Sequence, residues 1–260
     1  LQASRTHWLK WFLGLDIFLA AILAGLYMHE NKIQPVEALT AIRQLWSETN
    51  QTIGATSDRL PAEVRPIDVP LLLQKPELPR GCEVTSLAML LQNAGVKVSK
   101  MKLASEIKKV PYAARGKYGD PEKGFVGDMY DSDQPGYGVY HKPIAHLAGR
   151  YLPDRVADLS GQSFASIERK LSEGKPVLVI TNITFRPLSD SAFQTWQTKS
   201  GPIRVTYYEH AVLLTGYNRH SVFFNNPLGK KNASADKTNF IKAWKQMGSQ
   251  AISYNDFPGL

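Results

Sequence analysis

The chain has very little cysteine: Cys82 stands alone among 260 residues. No intramolecular disulfide can form, and a zinc site built from several thiolates is excluded. Internal repeats and low-complexity tracts are also absent, which removes solenoids, arrays and collagen-like chains. Acidic residues are in the minority, 23 Asp and Glu against 31 Lys and Arg, for a net charge of +8. Such a balance invites a nucleic-acid partner. Yet the basic residues are scattered and no basic run interleaves with aromatics, so nucleic acid is set aside. A basic surface also suits anionic lipid or a cell-wall polymer.

One apolar run stands out near the start, residues 11–28, broken only by Asp16. A bilayer-spanning helix needs about 20 apolar residues, so the length is adequate. Arg5 and Lys10 precede the run, which by the positive-inside rule keeps 1–10 in the cytoplasm and exports the chain beyond the run. A cleaved signal peptide shares this order, but Ile22 two residues before Ala24 spoils a small-residue cleavage site, and a buried core helix is the third reading. The preferred reading is a single-pass signal anchor at 11–30, with the folded part outside the cell. Residues 31–65 read as stalk and linker, because Ile33, Val36, Leu39, Ile42 and Leu45 recur every three residues and 51–65 is polar with Gly and Pro. A single domain over 66–260 should come next.

The context of Cys82 gives it chemistry. An apolar, strand-like run from Ile67 reaches Gln74; two prolines and Arg80-Gly81 then bring the chain to Cys82. Beyond it Val84, Leu87, Ala88, Leu90 and Leu91 recur at helical spacing up to Gly95. Cys82 therefore opens a core helix, where free N–H groups and the helix dipole favour an anion. Such a position can lower a thiol pKa from about 8.5 to roughly 3.5–7.5. A base must accompany it. His210 opens the strand pattern of the run 208–217, and the next strand, from Ser221, ends at Asn225-Asn226-Pro227. Asn226 can accept the imidazole N–H and fix the ring. Glu83 and Glu209, next to the two candidates, read as surface or charge-pairing residues, with Glu209 pointing away from His210 by strand alternation. His141 and His146 match no metal-binding spacing, and Asp128, Asp131 and Asp133 lack the glycine and glutamate of a calcium loop. The Gly-rich segment 119–138 reads as a loop lining the cleft. Neither a metal nor a cofactor is expected.

The strings LPRGCEVTSLAMLL, GDPEKGFVG, QPGYGVYHKPIA, GKPVLVITN, EHAVLLTGYN and NNPLG, in this order, resemble the cysteine peptidase family 39-like proteins, relatives of double-glycine leader peptidases. The resemblance covers nearly all of 66–254, including a closing helix and strand. It implies a papain-like α+β fold, in which the helix bearing Cys82 packs on an antiparallel sheet carrying His210 and Asn226. It also implies a Cys82 nucleophile, a His210 base and an oxyanion role for Gln74. The family commonly has Asp where this chain has Asn226. No transporter segments accompany the domain, so leader processing is not carried over. The expected function is hydrolysis of peptide or related amide bonds by a monomer, acting on a peptide or protein. The rivals are a peptidoglycan stem-peptide amidase or endopeptidase, and an inactive anchored binding domain.

Overall fold

The structure is a computed structural model that describes residues 60–257 together with Arg43. The expected cytoplasmic segment 1–10 and the anchor 11–30 lie outside the described residues, as does the stalk and linker apart from Arg43 and 60–65. Among the described residues no helix is long and apolar enough to cross a membrane. The end of the linker is already seated on the domain: Val64 exchanges backbone hydrogen bonds with Tyr217 at 2.7 and 3.0 Å.

The strand-like run from Ile67 is not a strand. It is extended but irregular up to Leu73, because Pro66 and Pro70 remove two N–H donors that a ladder would need. Helix α1 (Cys82–Asn93) comes first, then α2 (Lys100–Glu106) and the two-residue strands β1 (Lys109–Val110), β2 (Ala113–Ala114), β3 (Lys117–Tyr118) and β4 (Phe125–Val126). Next come α3 (His141–Tyr151), β5 (Val156–Asp158), α4 (Phe164–Ser172) and β6 (Val177–Asn182). A hairpin of β7 (Gln194–Thr198) and β8 (Gly201–Val205) precedes β9 (Glu209–Tyr217), β10 (Ser221–Asn226) and β11 (Lys230–Asp236). The chain closes with α5 (Lys237–Gln246) and β12 (Ala251–Tyr254).

Six strands form one antiparallel sheet in the order β11-β10-β9-β6-β12-β5. Its central strands β6 and β9 are buried almost throughout, because both faces are covered. Period-two alternation decides which residue meets which layer. Leu178, Ile180, Ala211 and Leu213 pack with α1 and α3, whereas Val177, Val179, Val212 and Leu214 pack with Phe164 of α4 and Trp244 of α5. The fold is therefore mixed, with the helix that carries Cys82 lying on an antiparallel sheet. Helix α1 is buried on all sides from Cys82 to Leu91, so it is a central helix rather than an amphipathic surface one.

Candidate active site

The N-terminus of α1 is set by Gly81. A Cβ there would lie 2.5 Å from the Leu78 Cβ, so only glycine lets the loop close against its own preceding turn and start the helix at Cys82. At the other side of the site, β9 begins with Glu209 and His210, and β10 ends with Asn225 and Asn226. The β9–β10 pairing shifts register between Phe223 and Phe224, and the β10–β11 pairing shifts again between Phe224 and Asn226. Such bulges re-aim side chains at the end of a strand.

His210 Nε2 lies 2.9 Å from Asn226 Oδ1. The same oxygen accepts the backbone N–H of Leu228 at 3.0 Å, and since that group can only donate, the amide orientation is fixed. Nε2 must then carry the imidazole proton, which leaves Nδ1 as a lone-pair base. Asn225 does something else: its amide donates to Val69 O at 2.9 Å and accepts from Asn232 N at 3.0 Å, so it ties the entry loop to β11. The Cys82 sulfur is buried, and the backbone N–H of Ala211, the residue after His210, is directed at it. Ser86, one turn further along α1, reaches the Ala211 carbonyl at 3.4 Å. Gln74 is tied in through its backbone, whose N–H donates to Pro227 O at 3.0 Å. Its side-chain Nε2 donates to Pro79 O at 2.8 Å and Leu78 O at 3.3 Å, while Oε1 is buried with no partner. Thus His210 and Asn226 bond directly, while Cys82 is reached through Ala211 and Gln74 through Pro227, the residues that follow His210 and Asn226.

The model of the Peptidase C39 like family matches residues 66–252. The chain belongs to this C39-like peptidase family. It is 43% identical to the uncharacterised protein YvpB of Bacillus subtilis strain 168, over 92% of this chain and 95% of that one. It is 48% identical to a crystal structure from Bacillus anthracis assigned to the C39-like peptidases, covering 75% of this chain and 98% of that one, with a TM-score of 0.74.

The electrostatics of this C39-like site differ from the sequence expectation in two respects. First, the thiol is not primed as an anion. Burial pushes the Cys82 pKa well above its ordinary value, the charges of Glu83 and Glu209 push it further, and the helix start does not outweigh them. His210 is also desolvated, and its pKa falls to about 4 despite the bond to Asn226, so the ring is neutral at pH 7. The resting pair is thiol and imidazole. Second, Glu83 and Glu209 are not solvated or paired with a cation. Glu83 is fully buried; Oε1 accepts Val139 N–H at 2.7 Å, and Oε2 accepts the Cys82 Sγ–H at 3.3 Å. Glu209 does diverge from His210 along β9, but this brings its carboxyl beside Cys82 and Glu83, with its Oε1 buried without a partner. Burial raises the Glu83 pKa to about 7 and drives the Glu209 pKa well above the carboxylate range, helped by the repulsion of Glu83. The available signal was that Glu83 is the one charged residue in α1. A wall of rings stands nearby: Tyr137 is 5.0 Å from Trp196 of β7, which stacks on Tyr118 at 4.4 Å.

Proposed function

We propose that the protein is a membrane-anchored, extracytoplasmic thiol peptidase of papain-like architecture, hydrolysing peptide or related amide bonds through a thioester on Cys82. The observation that carries this reading is the fixed imidazole: Asn226 holds the proton on Nε2 of His210, leaving Nδ1 as a base on the strand that touches the buried thiol. Because thiol and imidazole are both neutral at rest, the proton moves as the substrate arrives. The Cys82 S–H proton passes to His210 Nδ1 while the sulfur bonds to the carbonyl carbon. The oxyanion is met by the Cys82 N–H, at the first turn where helix N–H groups lack intrahelical partners, and by Gln74 Nε2. The 3.3 Å bond from Nε2 to Leu78 O is the longer of the two it makes, and is the one the oxyanion replaces. His210 then gives its proton to the leaving amine, and water taken up in its place hydrolyses the thioester and restores the thiol. Arg5 and Lys10 ahead of the apolar run support the exported location.

The test is hydrolysis by the full chain in detergent, assayed on a peptide library and on purified peptidoglycan beside a Cys82→Ala control. Cys82-dependent cleavage of linear peptides is the expected result. Cleavage restricted to peptidoglycan stem peptides would move the assignment to a wall amidase or endopeptidase. A folded protein with no Cys82-dependent hydrolysis of either would overturn the peptidase reading and leave a binding domain.

A further inference from the structure

Peptide hydrolysis by Cys82, His210, Asn226 and Gln74 leaves two carboxyls unused beside the nucleophile, that of Glu83 fully buried and that of Glu209 with its Oε1 buried. Glu83 comes from α1 and Glu209 from β9, and their oxygens together with Cys82 Sγ lie within 4.8 Å of one another. A glycine lets them meet: a Cβ on Gly138 would lie 2.6 Å from Glu83 Oε1 and 2.9 Å from Glu209 Oε2. Two carboxylates this close in a desolvated site cannot both ionise without a compensating cation. Among the described residues no cation acts on either. The titratable groups around them are Cys82 on α1, His210 on β9, and Tyr137 and Tyr140 from the segment leading into α3, with Asp120 and Glu122 beyond Tyr140. Arg80, the nearest basic residue in the chain, is turned to the carbonyls of Asp131 and Ser132 at 2.6 and 2.8 Å.

We propose that Glu83 and Glu209 share a proton, and that the protonated Glu83 carboxyl donates its O–H to the Cys82 sulfur as the thiolate forms. The proposal rests on the peptidase reading for its use in catalysis but not for its chemistry. In the resting site Glu83 Oε2 accepts from the thiol. When the thiol proton moves to His210 Nδ1, the S–H bond breaks and an N–H bond forms. The Glu83 O–H stays intact and swings from its neighbour to the sulfur, while Oε1 keeps the Val139 N–H. Glu83 is then a catalytic residue, since it touches the reacting sulfur. Glu209 is a positioning residue: burial and the repulsion of Glu83 keep its own proton in place, so the two carboxyls do not ionise together. The consequence is a nucleophile supported while the pair is protonated and opposed once the pair is ionised. The alkaline limit of turnover belongs to the carboxyls, Glu83 raised to about 7 by burial and Glu209 raised as well by burial and by Glu83.

Cys82 is the one cysteine in the chain, so alkylation reports on it alone. In the full chain in detergent, Glu83→Gln puts a permanent neutral donor in place of the Glu83 carboxyl, and iodoacetamide should modify Cys82 about tenfold faster at about pH 8 than in the wild type, the effect of one pKa unit. In kcat/KM profiles the two isosteric variants should separate. Glu83→Gln moves the alkaline limb upward, and Glu209→Gln leaves it close to the wild type, because burial alone holds the proton on Glu83. Packing damage alone would not move the limb in one isosteric variant and spare it in the other. Should Glu83→Gln fail to fold, infrared difference spectra of the wild type must show a protonated-carboxyl band at about pH 6 that disappears by about pH 9. Absence of that band, or unchanged alkylation in a folded Glu83→Gln protein, overturns the proposal. So does a copurifying divalent ion, one per chain, whose removal by chelator exposes Cys82 to alkylation. Loss of Cys82-dependent hydrolysis with the alkylation and infrared results intact would instead reject the peptidase reading alone.

Discussion

At the scale of single residues, the two asparagines that end β10 divide the labour. Asn226 orients His210, whereas Asn225 bonds Val69 and Asn232 and belongs to the scaffold. Asn226→Ala should therefore lower kcat by about 100-fold with little change in KM, the cost of a mispositioned base, while melting close to the wild type. Asn225→Ala leaves the buried Val69 carbonyl and the Asn232 N–H without their partner and should instead lower the melting temperature, by about 1–3 kcal/mol of stability. Steady-state kinetics and thermal melts on both variants separate the two roles. Asn226→Asp adds a charge beside the ring and restores the pairing common in the family. His210 must be neutral to accept a proton, and its pKa stands at about 4. The carboxylate favours imidazolium, so activity should survive and the acid limb should move upward from that value. An acid limb that does not move would show that His210 does not set it.

At the scale of elements, two glycines hold the site open to its neighbours. Gly81 lets α1 begin at Cys82, and Gly138 lets the segment leading into α3 pass close to two carboxyls. Gly81→Ala should cost about 1–3 kcal/mol from the forced shift against Leu78, and should also slow Cys82 alkylation by displacing the helix start. If the melting temperature and alkylation rate both stay at wild-type values, the contact with Leu78 is slack. This level also explains what could be read from the sequence. The strand pattern of 208–217, which forms as β9 from Glu209, and the helix opening at Cys82 were legible, because each is a long periodic run ending in a turn or cap signal. The pairing of His210 with Asn226 followed from two adjacent strands of the right length. The buried carboxyls were not legible, since Glu83 reads as exposed unless α1 is known to be covered on every side. Nor was the thiol's high pKa, because desolvation depends on three elements that converge only in the folded chain. The run from Ile67 misled through its apolar content, with Pro66 and Pro70 as the unweighted signal.

At the scale of the whole molecule, the site residues impose an unusual pH dependence on stability. His210 has its pKa lowered from 6.5 to about 4, so between those values the unfolded chain binds the extra proton. Its contribution is complete above pH 6.5 and is lost as pH falls to about 4, a swing of about 3 kcal/mol. Glu83 acts with the opposite sign. Its pKa rises from 4.5 to about 7, so the folded chain holds the extra proton, and stability is lost as pH rises through that window, again by about 3 kcal/mol. Over the shared range the two slopes offset each other. Glu209, also raised, then tips the balance toward loss with increasing pH. Below pH 4.5 the carboxyl slopes end, and the ion-paired carboxylates of Asp158 and Glu106, whose pKa values are lowered, begin to lose their contributions. The stability maximum should therefore lie near about pH 5, with a decline toward about pH 8. Most proteins with paired carboxylates and buried histidines lose stability on the acid side first. Thermal unfolding of the full chain in detergent from about pH 4 to pH 9 measures this directly. Glu83→Gln removes one slope and, by taking away the repulsion, lowers the Glu209 pKa as well, so the decline between about pH 5 and pH 8 should shrink by more than the share of Glu83 alone. If that decline is the same in the wild type and in Glu83→Gln, the carboxyl pair is ionised in the folded state and its burial is balanced by something other than a proton.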